Sequence, residues 1–347
     1  MKKVRLALVG VGNVGRRLLD LVNERRNLLA TRYGLEFSVN CVADSGGVIA
    51  AEDGFNVEAL VAHKKAGGAV SGFAAGAVAT TLEDALDNVA CEILLEASPL
   101  DLETGNPGLA NSRIALTRGM HLVLANKSPL ALAHRELDGL AAAADVGMLY
   151  SATFCGGLPV LNVLRRDFVC GKVLGFRGIF NATSNFVLQE LQAGKDYAGA
   201  LAEARETGAA EADPRLDVEG WDTAAKLVIA ANQFCAPMIS LSDVDVTGIE
   251  NIGGDRLRQC AEDGLALKLV AAAEPADNGW SFKVEPTALP ADSFLGSCHG
   301  WEMGVEVESD IYGRSFYKLR EGEPVPTAAS MLRDAVHLAT GGRTASI

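Results

Sequence analysis

The residues best suited to chemistry lie in one acidic stretch and at two lysines. Between Glu211 and Asp222 the chain carries five acids in twelve residues, Glu211, Asp213, Asp217, Glu219 and Asp222, and Lys226 follows. Asp222 and Lys226 are four apart, so on a helix they share a face, among the small or apolar Ala224, Ala225, Leu227 and Ile229. Desolvation lowers the pKa of a half-buried lysine and a neighbouring carboxylate raises it, which suits a proton donor to a carbonyl oxygen. The plainer alternative is a solvated acidic turn with a surface ion pair. Lys127, in Ala125-Asn-Lys-Ser-Pro-Leu130, follows an apolar run directly. Ligand sites of doubly wound sheets lie beyond the carboxyl ends of the strands, so Lys127 either points into such a crevice or is a surface lysine ahead of a helix.

Gly10, Gly12 and Gly15, with Asn13 and Val14 between, stand after the apolar run 4–9 and before a helical pattern over Arg16–Leu28. Three glycines so spaced permit a tight turn, close approach of backbone to a pyrophosphate, and close packing of helix on strand. An ordinary glycine turn has the same bare pattern, but the strand before it, the helix after it and Asp44 at the end of the next strand favour a dinucleotide site with Asp44 on the ribose. No Lys or Arg follows Asp44 before Lys64, so nothing obvious in the sequence would hold a 2′-phosphate, and NAD is favoured over NADP.

The elements that must position these residues alternate. Strand patterns at 37–43, 93–97 and 121–125 alternate with helical ones at 82–89, 108–118 and 130–144, which predicts an α/β fold with a doubly wound parallel sheet of Rossmann type over residues 1–150. The Gly/Ala-rich stretch 66–78 reads as a connection or a loosely specified strand. Beyond 150 the rhythm changes. Strands at 172–180, 265–273, 280–285 and 303–309 and helices at 184–193, 197–207 and 221–232 predict a second, mixed α/β domain over 151–320. A last helix at 327–338, within 321–347, is expected to pack back on the nucleotide domain.

Composition removes other classes. With 31 Lys+Arg against 44 Asp+Glu the formal charge is −13, which argues against nucleic-acid or anionic-membrane partners. Seven scattered cysteines without CxxC spacing and no apolar run of membrane length suggest a cytoplasmic, reducing location. The five histidines form no HExxH or other metal constellation, and no GxSxG or P-loop occurs, so neither metal catalysis nor serine hydrolysis has support.

In motif content and order the chain resembles the homoserine dehydrogenase family, in the short form without a C-terminal regulatory module. The likeness is carried by Leu8–Gly15, Glu96–Gly108, Ala125–Leu130, Ala152–Pro159, Ile179–Leu188 and, most specifically, Gly208–Leu227. It implies reversible NAD(P)-dependent reduction of L-aspartate 4-semialdehyde to L-homoserine, a nucleotide domain, a domain for substrate and dimerisation, and a homodimer. It further implies that Lys226 and Lys127 are catalytic, that Asp222 orients Lys226 or the reacting oxygen, that Glu211 and Asp217 hold the substrate ammonium, that Thr183 contacts substrate, and that Ser98 stands near the nicotinamide.

The chain departs from the family at several points. Ser151 stands where the family usually has a glutamate associated with a monovalent metal ion, so no metal is assigned, and any such site would rely on carbonyls around Phe154 and Gly156. Ala182 replaces a glycine and Ala209 a tyrosine, and Ser98 and Leu100 replace threonines. Ser315–Glu323 lies where the family shows a glycine-rich turn. A sister oxidoreductase acting on another small amino or hydroxy acid is the enzymatic alternative. The non-enzymatic one is a catalytically silent dinucleotide-binding protein.

Overall fold

The computed structural model describes residues 1–73, 75–206, 215–235, 238–277 and 279–341. In chain order its first elements are β1 (Lys2–Val9), α1 (Asn13–Glu24), α2 (Arg26–Tyr33), β2 (Leu35–Asp44), β3 (Gly47–Ala50), α3 (Val57–Lys65), β4 (Ala77–Ala79), α4 (Leu82–Asn88), β5 (Ile93–Glu96), α5 (Gly108–Thr117), β6 (His121–Leu124), α6 (Ser128–Ala143) and β7 (Met148–Leu149). There follow α7 (Val160–Asp167), β8 (Val173–Ile179), α8 (Ala182–Gln192), α9 (Tyr197–Glu206), α10 (Arg215–Val218), α11 (Trp221–Phe234), β9 (Asp245–Val246), α12 (Gly254–Glu262), β10 (Leu265–Ala276), β11 (Gly279–Pro290), β12 (Glu302–Ser309), β13 (Gly313–Arg320) and α13 (Val325–Ala339). The chain divides into two compact units, Met1–Gly157 with Pro324–Ile347, and Leu158–Glu323.

The first unit is built on a seven-stranded sheet in the order β4-β3-β2-β1-β5-β6-β7. The pairs β1/β2, β1/β5, β5/β6 and β6/β7 are parallel, as the alternating pattern predicts. The edge differs from that expectation, because β2/β3 and β3/β4 are antiparallel. The cause is local: Asp44 pairs with Gly47 across a two-residue turn, and the Asp44 carboxylate accepts from the Gly46 amide at 2.7 Å. The core lies between Leu6, Leu8, Ile93 and Leu95 of the central strands, Leu18, Leu19 and Val22 of α1, and Met331, Ala335 and Leu338 of α13. The stretch 66–78 forms a short 3₁₀ turn, Val70–Gly72, and then β4.

The second unit holds a six-stranded sheet in the order β13-β12-β8-β10-β11-β9. All its pairs are antiparallel except β11/β9. Its strands follow one another without helical crossovers from β10 to β13, as antiparallel hairpin pairs allow. Strand β13 occupies residues where the family likeness suggested a glycine-rich turn; Phe316, Lys318 and Arg320 alternate with more buried neighbours along it. Helix α11 is buried from Asp222 to Ala231, so its two charged residues enter an apolar setting. Among the described residues no helix is long and apolar enough to cross a membrane.

Candidate active site

In the first unit the glycine turn is fixed by the protein's own packing at two of its three positions. Gly10 has φ +89°, and a Cβ there would lie 2.2 Å from the Ala97 carbonyl oxygen. A Cβ on Gly15 would lie 1.9 Å from the Gly10 oxygen, so the close approach of α1 to β1 requires glycine. Gly12 differs, since a Cβ there would meet no protein atom within 4 Å. It is the N-cap of α1 and makes no side-chain cap bond, and Gly12 and Asn13 are exposed, Val14 half-buried and Gly15 buried. A helix N-terminus that presents amides without a side chain in front of them fits the pyrophosphate of a dinucleotide.

Asp44 ends β2, with Oδ1 on the Gly46 amide and Oδ2 2.7 Å from Lys64 Nζ. The sequence reading placed nothing basic beside Asp44, and the structure corrects it: α3 returns Lys64 to that carboxylate, with both side chains largely buried. A residue twenty positions away, on a helix rather than on the strand, carries no local spacing signal.

Past the carboxyl ends of β5 and β6, Ser98 and Lys127 sit on a polar network. The Glu96 carboxylate, fully buried, accepts from the Ser98 amide at 2.8 Å and from Asn111 Nδ2 at 2.9 Å. Asn126 Nδ2 donates to Ser98 Oγ and to the Pro99 carbonyl, each at 3.1 Å, and its Oδ1 accepts from the Ser128 amide at 2.9 Å. Lys127 is the N-cap of α6, half-buried between two residues held by these bonds. Burial pushes the Glu96 carboxyl above its ordinary range, against bonds from Ser98, Asn111 and Asn126 that pull it down. Sequence reasoning did not single out Glu96, Asn111 or Asn126. Their only signal is a polar residue at the end of an apolar strand.

In the second unit the Lys226 ammonium lies 2.6 Å from Asp222 Oδ2 and donates to the Phe180 carbonyl at 2.6 Å. Asn181 joins Asp217 to this pair, because its Nδ2 donates to Asp222 Oδ2 and to Asp217 Oδ1, each at 2.7 Å. Its Oδ1 accepts from the Ser184 amide and caps α8. Thr183, buried, stands in the first turn of α8, and Gly220 at φ +88° starts α11 one residue before Trp221. The predicted i,i+4 pair therefore exists, and the bland alternative of a solvated turn fails at Asp222 and Lys226, which are 6% and 9% exposed. Glu211 and Asp213 lie outside the described residues. Asn181, the hub of the arrangement, falls within the motif Ile179–Leu188, and its spacing alone gives it no role.

A dinucleotide-type glycine turn in the first unit and a buried lysine held by a carboxylate in the second are each features of the nicotinamide-dependent dehydrogenase class. Comparison narrows this. Residues 159–336 match the model of the homoserine dehydrogenase family, and residues 1–101 match that of the glutamate/leucine/phenylalanine/valine dehydrogenases. The chain is 32% identical over 340 residues to the NAD(+)-dependent homoserine dehydrogenase of Pseudomonas canavaninivorans, covering 97% of each. The crystal structure of homoserine dehydrogenase from Thermoplasma acidophilum superposes with a TM-score of 0.85 at 25% identity, covering 97% of this chain and 99% of that one. A hyperthermophilic archaeal homoserine dehydrogenase in complex with NADPH shares the fold, with a TM-score of 0.83 at 23% identity and 98% of each chain covered. The chain belongs to the homoserine dehydrogenase family, whose members are NAD(P)-dependent oxidoreductases.

The Glu96 environment generates a pH prediction. A carboxyl whose pKa is raised on folding above its ordinary 4.5 leaves the native state holding more protons than the unfolded chain, so stability falls as pH rises through that window. Glu96→Gln cannot ionise, and its loss of one acceptor oxygen is a pH-independent offset. Thermal melts from pH 4 upward should therefore show wild type losing ground to Glu96→Gln, and parallel curves would refute the assignment.

Proposed function

We propose that this protein catalyses the reversible NAD(P)-dependent interconversion of L-aspartate 4-semialdehyde and L-homoserine. The observation that carries the reading is the buried Lys226 ammonium fixed between Asp222 Oδ2 and the Phe180 carbonyl. When bound, the nicotinamide supplies the hydride to the aldehyde carbon, or accepts it in reverse. Lys226 gives a proton to the aldehyde oxygen as it becomes the alcohol, and regains one from solvent; Asp222 keeps the ammonium charged and aimed. Lys127 serves as the second catalytic lysine and also borders the cofactor. Asp217 and Glu211 bind the substrate ammonium and Thr183 its polar end. Gly10, Gly12, Asn13, Val14 and Gly15 take the pyrophosphate, Asp44 the ribose, and Ser98 the nicotinamide side.

The same reading includes a homodimer in the cytoplasm. Support for the first is the exposed edge strand β13 with Phe316 outward, and for the second the absence of disulfides among the seven cysteines. Sedimentation equilibrium of purified protein should give twice the chain mass.

The central test is oxidation of L-homoserine by purified protein, followed through the absorbance of reduced nicotinamide. Nucleotide binding without turnover, with either NAD or NADP, would refute the reading. Lys226→Met should lower kcat by about 10²–10⁴ with nucleotide affinity unchanged. An unaltered kcat would remove Lys226 from the chemistry.

Cofactor choice follows from the Asp44–Lys64 pair. Asp44 accepts from a ribose 2′-hydroxyl and repels a 2′-phosphate, so NAD is preferred. Asp44→Ala loses that acceptor and releases Lys64, so it should weaken NAD and tighten NADP, each by about ten-fold. Lys64→Ala should weaken NADP more than NAD. Titration of both variants with both nucleotides checks this, and equal effects on the two would make Asp44 a turn residue only.

A further inference from the structure

The chain crosses between its units at Gly157–Leu158 and at Glu323–Pro324. The segments that border these crossings in the first unit, 151–157 and α13, are bonded to each other. Ser151 donates its amide to Asp334 Oδ2 at 2.9 Å and its hydroxyl to Asp334 Oδ1 at 2.8 Å. Ser330 Oγ donates to the Gly156 carbonyl at 3.1 Å. Ser330 and Asp334 are four apart and share one face of α13, and both are 2% exposed. The segment they grip is strained: Cys155 has φ +48° and Gly156 φ +57°, so a side chain-bearing residue and its neighbour are both left-handed. Such a turn persists where its surroundings hold it.

The family likeness associates position 151 with a glutamate and a monovalent metal ion, and the donor set here does not fit one. An alkali ion is bound by hard oxygens, a carboxylate and carbonyls. Ser151 brings no charge and turns both its amide and its hydroxyl as donors toward Asp334. Both Asp334 oxygens accept from Ser151, and Arg333 Nε stands 3.7 Å from Oδ1, a cationic group where an ion would have to approach. We propose that Ser330 and Asp334 are positioning residues that hold segment 151–157 by hydrogen bonds in place of an ion, so that turnover requires no particular alkali cation.

Only the kinetic arm of the test rests on the dehydrogenase reading. Protein dialysed into tetramethylammonium chloride should oxidise homoserine with kcat/KM within about two-fold of its value in sodium or potassium chloride at equal ionic strength. A saturable activation of about ten-fold or more by one alkali ion would overturn the proposal. In Asp334→Ala, kcat/KM for homoserine should fall about ten-fold with nucleotide affinity unchanged, and amide exchange over 151–157 should rise about ten-fold while β1 keeps its protection. Asp334→Asn, which retains an acceptor for Ser151, should recover most of both. Unchanged exchange in Asp334→Ala, or no recovery with asparagine, would overturn it. Should Asp334→Ala fail to fold, Ser330→Ala loses a single bond and should give a smaller rise at the same amides; no rise there is again a refutation. If homoserine is not oxidised at all, the dehydrogenase reading fails while the exchange measurements still decide the clamp.

Discussion

A lysine ammonium cannot remain charged inside a helix of alanine, leucine and isoleucine unless oxygens replace the water it gives up. Everything around Lys226 follows from that constraint. Asp222, one turn earlier on α11, supplies the countercharge, and the Phe180 carbonyl at the end of β8 supplies a second acceptor. The carboxylate in turn needs donors, and Asn181 provides one while drawing in Asp217. A neutral amide is the right bridge here, because a second cation would compete for Asp222 and a second acid would repel it. The Oδ1 of the same asparagine caps α8, so the charge network and the start of that helix are one piece of structure. Lys226 thus lies within a few bonds of β8, α8, α10 and α11.

The first unit buries an acid among donors in the same way, although there the donors offset burial only in part. Glu96 ends a central strand fully buried, and amide donors from Ser98 and Asn111 meet its two oxygens. Asn126 extends the network to Ser98 and to the first turn of α6. Two strand ends and a helix start are thereby locked, and Lys127 lies between the locked residues. Rigid placement of this kind is what the proposed catalytic role of Lys127 would require.

Much of this was legible in the sequence because it depends on short periods. The glycine turn, the parallel strands beside it, the i,i+4 pair of Asp222 and Lys226 and the antiparallel run after residue 265 are all written in neighbouring residues. What escaped is what folding brings from afar. Lys64 reaches Asp44 over a hairpin, a loop and a helix, and Asp334 reaches Ser151 over more than half the chain. The hairpin itself has a signal in Asp44-Ser-Gly-Gly, which the alternating parallel pattern around it masks. Of the departures from the family pattern, Ala182 costs the fold nothing: it lies in the first turn of α8 with ordinary helical backbone, where a Cβ is no burden. Ala209 lies outside the described residues.

An acidic chain must still admit an anionic cofactor, and distance resolves the conflict. At physiological salt, charges more than about 8–10 Å apart are largely screened, so the net −13 says little about the contact surface of the glycine turn. There the near field is positive: the uncapped amides of α1 face outward at Gly12 and Asn13, and Arg16 is held to Asn13 by a 2.8 Å bond. At the end of β2, where the proposed function puts the ribose, the balance differs, because the Asp44 carboxylate stands there with Lys64 against it. In the proposed placement a pyrophosphate meets these donors, whereas a 2′-phosphate would first have to displace the Asp44 carboxylate from Lys64. On the proposed cofactor placement, the chain attracts one phosphate group and discriminates against another by short-range pairing, whatever its net charge.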